Sequence, residues 1–372
     1  MTTPSDAPAT EAARLRIGAE SAAVVAHLPF DGHRFLGSPS ILRTADGGYL
    51  ASHDVFGRDV TRGRTSMHAS PDGDRWEQVG ELDDMFWGSL FVRGDEVYLI
   101  GTTREYGALV IRRSTDGGRT WSVARDARSG LLSPEPSHTA PVPIVLHGGR
   151  YWRAFERRTV AGDEWGEFAA AMMSADADAD LLDAASWHLS AGARVPYRLL
   201  ERGVSTWLEG NVVVAPDDSL VVVIRANAWS QPFQQAAVLT VLPDGELAVP
   251  HDPLIRMPGG GSKFTIRRDP VDGAYWSLVN TPMWDASVDL GLHGRNTLSL
   301  ARSTDLRAWE VRRVVLHHPD DLRHGYQYCD WLFEGGDVVF VSRTAHEYAG
   351  GSAHSYHDSN LITFHRLEDF RA

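Results

Sequence analysis

At 372 residues the chain is long enough for one large domain or two ordinary ones, and its 43% apolar and 23% charged content is that of a globular protein. A formal charge of −13 argues against nucleic acid or an anionic membrane surface as partner, yet a few arginines could still hold an anionic small molecule. Cys329 stands alone, so no intrachain disulfide is expected.

In chain order, the opening "MTTPSDAPATEAARLRIG" has acidic residues and no apolar stretch of the signal-peptide kind, so residues 1–20 are expected to be a flexible lead segment. Apolar runs such as "LVVVI" are far too short to span a bilayer, and a cytoplasmic setting is expected. After the strand-like "AAVVAHL" come six units in which an apolar run meets a tight turn and a second apolar run. These are "SPSILRTADGGYLASHD", "GSLFVRGDEVYLIGTTRE", "APVPIVLHGGRYWRAFE", "NVVVAPDDSLVVVIRAN", "SKFTIRRDPVDGAYWSLVN" and "CDWLFEGGDVVFVSRTA". Their turns carry Asp-Gly, Gly-Gly and Asp-Asp, residues that tolerate the positive φ of tight hairpins.

A second repeat follows several hairpins: "SPDGDRW" (70–76), "STDGGRTW" (114–121) and "STDLRAW" (303–309), with a stretched form, "SADADADLLDAASW", at 174–187. Trp121 follows Trp76 by 45 residues, the length of one four-stranded propeller blade. In this motif the Asp carboxylate accepts N–H groups of its own turn, Gly turns left-handed and Trp packs beneath, so it serves the fold. The predicted architecture is all-β: a six-bladed propeller of four-stranded antiparallel blades over residues 21–372, with blades opening near Gly37, Gly88, His138, Glu209, Gly261 and Tyr328. The N-terminal strand would complete the last blade and close the ring. A two-domain β-sandwich and a five-bladed ring are the alternatives.

In a propeller, the starts of first strands and the ends of second strands meet on one face. The starts supply Ser38, His138, Glu209, Lys263 (the only lysine), Tyr328 and Asp330. The ends supply His53 and Asp54, Arg104 and Glu105, Glu156 and Arg157, Arg225 and Asn227, Asn280 and Trp284, and Arg343 with His346. Many directional polar groups beside an aromatic platform suit a carbohydrate. His346, His357 and Asp358 would overhang this pocket from the last blade.

These residues resemble the sialidase (neuraminidase) superfamily with its Asp-box, or BNR, repeats. By that resemblance Glu209 and Arg225 in "LEGNVVVAPDDSLVVVIRAN", Arg295 in "GRNTLSLARSTD" and Tyr328 in "YCDWLFEGGDVVFV" fall on family positions. Asp54, or Asp59, takes the place of the acid/base. The family's first blade usually begins Arg-Ile-Pro, supplying one of three arginines that clamp the sialic acid carboxylate. Here "FLGSPSIL" has none, a contact worth about 1.5–3 kcal/mol. Either Arg104, Arg157 or Arg343 substitutes, or the substrate is not an ordinary sialoside; the second is favoured.

The resemblance implies a glycoside hydrolase that releases a terminal sugar from a small glycoside, with Glu209 activating a Tyr328 nucleophile and Asp54 as acid/base. Arg225, Arg295, His53, Arg104, Glu156, Lys263, Trp284, Asp330, Arg343, His346 and His357 would contact substrate. An inverting pair, Asp54 with Glu156, is a second mechanism. A uronate lyase and a non-catalytic carbohydrate-binding propeller are further readings. No cofactor and no metal is expected: "DADADLLD" lacks the Gly and terminal Glu of a calcium loop, and "HSYHD" lacks a zinc-binding helical register.

Overall fold

The computed structural model describes residues 13–18, 20–159, 168–228, 235–281 and 294–372. Six antiparallel sheets follow one another along the chain. Blade one is Arg34–Arg43, Tyr49–Gly57, Arg64–Ser70 and Glu77–Asp83, and blade two starts at Phe86–Arg93. Blade three has a broken inner strand, Ser137–His138 and Val145–His147, paired with Arg150–Arg158. Blade four opens with Val204–Val214, blade five with Thr265–Arg268 and blade six with Gly325–Glu334. These starts agree with the sequence expectation. Among the described residues no helix is long and apolar enough to cross a membrane.

The blades pack face to face. Second strands such as Leu220–Ala228 are apolar on both sides because each blade is covered by two neighbours. One apolar cluster fills each seam between consecutive blades. The last seam includes Ala23 and Val25 from Glu20–His27, which pairs antiparallel with Leu361–Leu367 and so closes the ring as expected. Within the predicted lead segment, Arg14–Ile17 forms a fifth strand on that blade, and Leu15 and Ile17 are buried in its core. The alternation apolar–polar in "RLRI" is enough to place it on a sheet edge.

The Ser-Asp-Trp turns behave as staples. Asp116 accepts the N–H groups of Arg119 at 3.1 Å and Thr120 at 2.9 Å, while the Trp121 indole N–H donates to the Gly118 carbonyl at 2.9 Å. These bonds, with the Thr120 and Ser114 hydroxyls, hold the Asp116 carboxyl below its ordinary range. Gly118, at φ +90°, has no room for a side chain: an added Cβ would lie 2.5 Å from Leu50.

Two features of the inner strands position the site. Blades one, two, four and six each carry a one-residue bulge at the same place, and its residue is left-handed without being glycine. These are Ser38, Trp87, Glu209 and Tyr328, at φ 31°, 51°, 60° and 53°. Such conformations cost about 1–3 kcal/mol each and re-aim the side chain. Just beyond the bulges runs a belt of hydrogen bonds from blade to blade. Asp330 accepts the Ser40 hydroxyl and the Ile41 N–H, and the Ser40 oxygen accepts the Leu90 N–H. Ser89 accepts the Val142 N–H and Glu156 the Gly210 N–H. Asn211 accepts the Ile266 N–H, and the Thr265 hydroxyl donates to the Cys329 carbonyl. All six seams are thereby joined around the axis.

Candidate active site

The bulges aim Glu209 and Tyr328 at each other across the ring. The Tyr328 hydroxyl donates to Glu209 Oε1 at 2.8 Å, and Arg225 Nη1 lies 3.3 Å from Glu209 Oε2. Arg225 occupies the second-strand position opposite the residue before the bulge, and Asp54 and Arg343 occupy the same position in blades one and six. The Arg343 guanidinium sits 5.0 Å and that of Arg295 5.7 Å from the Tyr328 ring centre. Arg295 donates to Gln327, and Arg343 to the His357 carbonyl. Among the described residues neither makes a direct ion pair with a carboxylate, although both feel the Glu209 charge.

Burial raises the Tyr328 hydroxyl above its ordinary value, and the Glu209 charge adds to this against the pull of Arg295, Arg225 and Arg343. Burial pushes Glu209 the same way, but Arg225, His138, the Tyr328 hydroxyl and Arg295 together hold it below its ordinary value. The pair is therefore a neutral phenol hydrogen-bonded to an ionised carboxylate.

Asp54 is 1% exposed and is pushed up to about 7, chiefly by burial, against the Thr65 and Trp87 hydrogen bonds and the Arg343 charge. Its oxygens meet the Thr65 hydroxyl and the Trp87 N–H, each at 2.8 Å. The Thr65 hydroxyl also lies 2.8 Å from the Met85 carbonyl, and one proton serves only one of these two acceptors.

The wall between Asp54 and Glu209 is aromatic. Trp87 meets the His138 ring at 4.5 Å, and His138 lies 4.9 Å from Phe168, which stacks on Tyr106 at 5.9 Å. Beside it a depression of about 400 Å³ is lined by Phe56, Phe86, Arg104 and Tyr106 among others. Phe56 also lies under Arg343, at 4.3 Å. Sequence reading missed Phe56, Trp87 and Tyr106. Their signal was an aromatic at or beside the strand ends already singled out, as in "MFWGSL".

Several predicted contact residues are placed elsewhere. Asp330 is buried and occupied by Ser40, Ile41 and Arg267, so it ties three blades together. Lys263 donates to Thr265 and to the Cys329 carbonyl at 2.8 Å, supporting the bulge that carries Tyr328; burial lowers it to about 8. Glu156 is fully buried, with its oxygens on His138 at 2.7 Å and the Gly210 N–H at 3.1 Å, so it is not the free second carboxylate of an inverting pair. His53 alternates with Asp54 along the strand and therefore faces away, against His68 at 3.1 Å. Arg104 is exposed at the edge of the depression beside the aromatic wall, with Tyr106 buried next to it. Arg157 donates to Ser190 in the outer part of its own blade. Asp59 is exposed beside His33. His346 joins other histidines at the seam of blades five and six. His357 does lie at the rim, between Arg343 and Asp358. Trp284 falls outside the described residues.

No protein-family model and no curated protein matches the sequence. Solved structures do match. The alpha-L-arabinanase of Penicillium chrysogenum complexed with arabinobiose is 13% identical with a TM-score of 0.58, over 93% of this chain and 97% of that one. The GH93 alpha-L-arabinofuranosidase of Fusarium graminearum with arabinobiose is 12% identical with a TM-score of 0.61, over the same shares. The Hadza microbial sialidase Hz136 is 15% identical with a TM-score of 0.58, over 93% of this chain and 68% of that one. At these identities the likeness is one of fold, and the shared fold is a six-bladed β-propeller.

Proposed function

We propose that the protein is an exo-acting glycoside hydrolase that releases a terminal acidic sugar from a small glycoside. The observation that carries this is the 2.8 Å bond between Tyr328 and Glu209 inside a ring of three arginines. In the first step the Tyr328 oxygen attacks the anomeric carbon while its proton passes to Glu209 Oε1. Asp54 gives a proton to the departing glycosidic oxygen as that bond breaks. In the second step Asp54 takes a proton from water, which displaces the tyrosyl oxygen, and Glu209 returns the proton to Tyr328. A carboxylate on the sugar would lie against Arg225, Arg295 and Arg343, with Arg343 standing in for the arginine that blade one lacks. A cytoplasmic setting, proposed with it, favours imported oligosaccharides over polymers.

A neutral pentoside is the second reading, since two structural neighbours are complexed with arabinobiose. The test is turnover of aryl α-sialosides, uronides and α-L-arabinofuranosides by wild type and Tyr328→Phe. Release from a carboxylated glycoside, lost in Tyr328→Phe, is expected. Turnover of the arabinoside alone would replace the acidic substrate while keeping the hydrolase. An unsaturated product from a uronide would instead identify a lyase, and binding without turnover a lectin-like propeller.

A further inference from the structure

Away from Tyr328, but on the same face of the ring, three imidazoles and a carboxylate converge. His318 follows the outer strand of blade five (Glu310–His317), His324 precedes the inner strand of blade six, and His346 and Glu347 follow its second strand (Asp337–Ala345). One donor atom from each of the four lies within 4.8 Å of all the others. His324 is 2% exposed, with its Nε2 facing Glu347 Oε2 at 2.7 Å. Its Nδ1 is buried without a hydrogen bond, 3.4 Å from Asp320 Oδ2. A metal-ligating histidine gives one nitrogen to the ion and keeps a carboxylate near the other, and Asp320 is placed for that. The catalytic proposal uses none of these groups.

We propose that this cluster binds one divalent transition-metal ion of the zinc type, through His324, His346 and Glu347. Imidazole-rich sites select zinc, cobalt or nickel over calcium and magnesium, which take oxygen ligands. Donor atoms around tetrahedral zinc stand about 3.3 Å apart, given bonds of about 2.0 Å. The His324–Glu347 pair opens slightly to reach that spacing, and the longer separations close by side-chain rotation. His318 Nδ1 already accepts the Asp320 N–H at 3.1 Å, so its other nitrogen keeps the proton. It therefore closes the site as a wall, its ring 3.4 Å from that of His324 and 15° from parallel.

The ion would tie the lead-in of the strand bearing Tyr328 to the end of the neighbouring strand. Tyr326, two residues before Tyr328, has its ring 6.4 Å from that of His346.

The experiment strips the full chain with chelator and titrates it with Zn²⁺ by calorimetry, and with Co²⁺ by visible absorption. One ion per chain is expected, with Tm rising as free Zn²⁺ rises. Glu347→Gln, at a largely exposed position, folds normally and weakens binding at least tenfold; His346→Asn abolishes it. Folded wild type that takes up neither ion saturably, or uptake unchanged in both variants, overturns the site. Neither readout passes through catalysis.

Discussion

In the proposed mechanism Asp54 and Arg343 have the roles that are most open to test. With Asp54 raised to about 7 and Glu209 below its ordinary range, that mechanism requires Asp54 protonated and Glu209 ionised in the free protein. The kcat/KM profile is expected to fall as pH rises through about 7, and to hold on the acid side to below the usual glutamate range. A basic limb that stays in place in Asp54→Asn would assign it to another group. The same shift has a stability consequence. A carboxyl whose folded value exceeds its unfolded one of about 3.9 favours the fold below that pH, and this contribution is lost as pH rises to about 7. Denaturant titrations should therefore show wild type losing stability relative to Asp54→Asn between about pH 4 and 7. Arg343→Met tests the clamp: KM for a carboxylated glycoside should rise roughly tenfold or more, with an uncharged analogue little affected. Equal losses on both would mean that Arg343 only supports His357.

Single strands show how the fold supports those residues. The bulge lifts Glu209 and Tyr328 out of their ladders, and the belt beyond it fixes the bulge. Asn211 is fully buried and serves two groups of blade five: it accepts the Ile266 N–H at 3.0 Å and donates to the Phe264 carbonyl at 3.1 Å. Asn211→Ala leaves both buried groups unpaired at about 1–3 kcal/mol each, so a loss of about 2–6 kcal/mol is expected in urea unfolding. A loss under about 0.5 kcal/mol would show that the belt is incidental. The staples are legible in sequence because each Ser-Asp-Trp turn is satisfied within eight residues or so. The bulges are not: nothing in "TWLEGNV" or "YQYCDWL" announces a left-handed Glu or Tyr, since neither residue prefers that region.

The whole ring depends on its two ends meeting. Without Glu20–His27, the strand Leu361–Leu367 becomes an open edge and the seam between blades six and one loses Ala23 and Val25. A chain starting at Leu28 is expected to aggregate or to unfold at a clearly lower temperature by circular dichroism. Melting like the full chain would show that the seams close the ring unaided.

The sequence by itself determined the number of blades, where each begins and which strand completes the last, because hairpin turns and apolar alternation are local signals. The resemblance to the sialidase superfamily, carried by those same stretches, put Glu209, Arg225, Arg295 and Tyr328 forward together. Only the tertiary structure decided which polar residues remain for a ligand. Ser40 and Asp330, 290 positions apart, meet only once the ring is closed. That closure turns Asp330, Lys263 and Glu156 into internal supports and brings Arg343 over Tyr328. The physical reason is that a buried polar group takes whichever partner the neighbouring blade offers, and no local pattern encodes the neighbour.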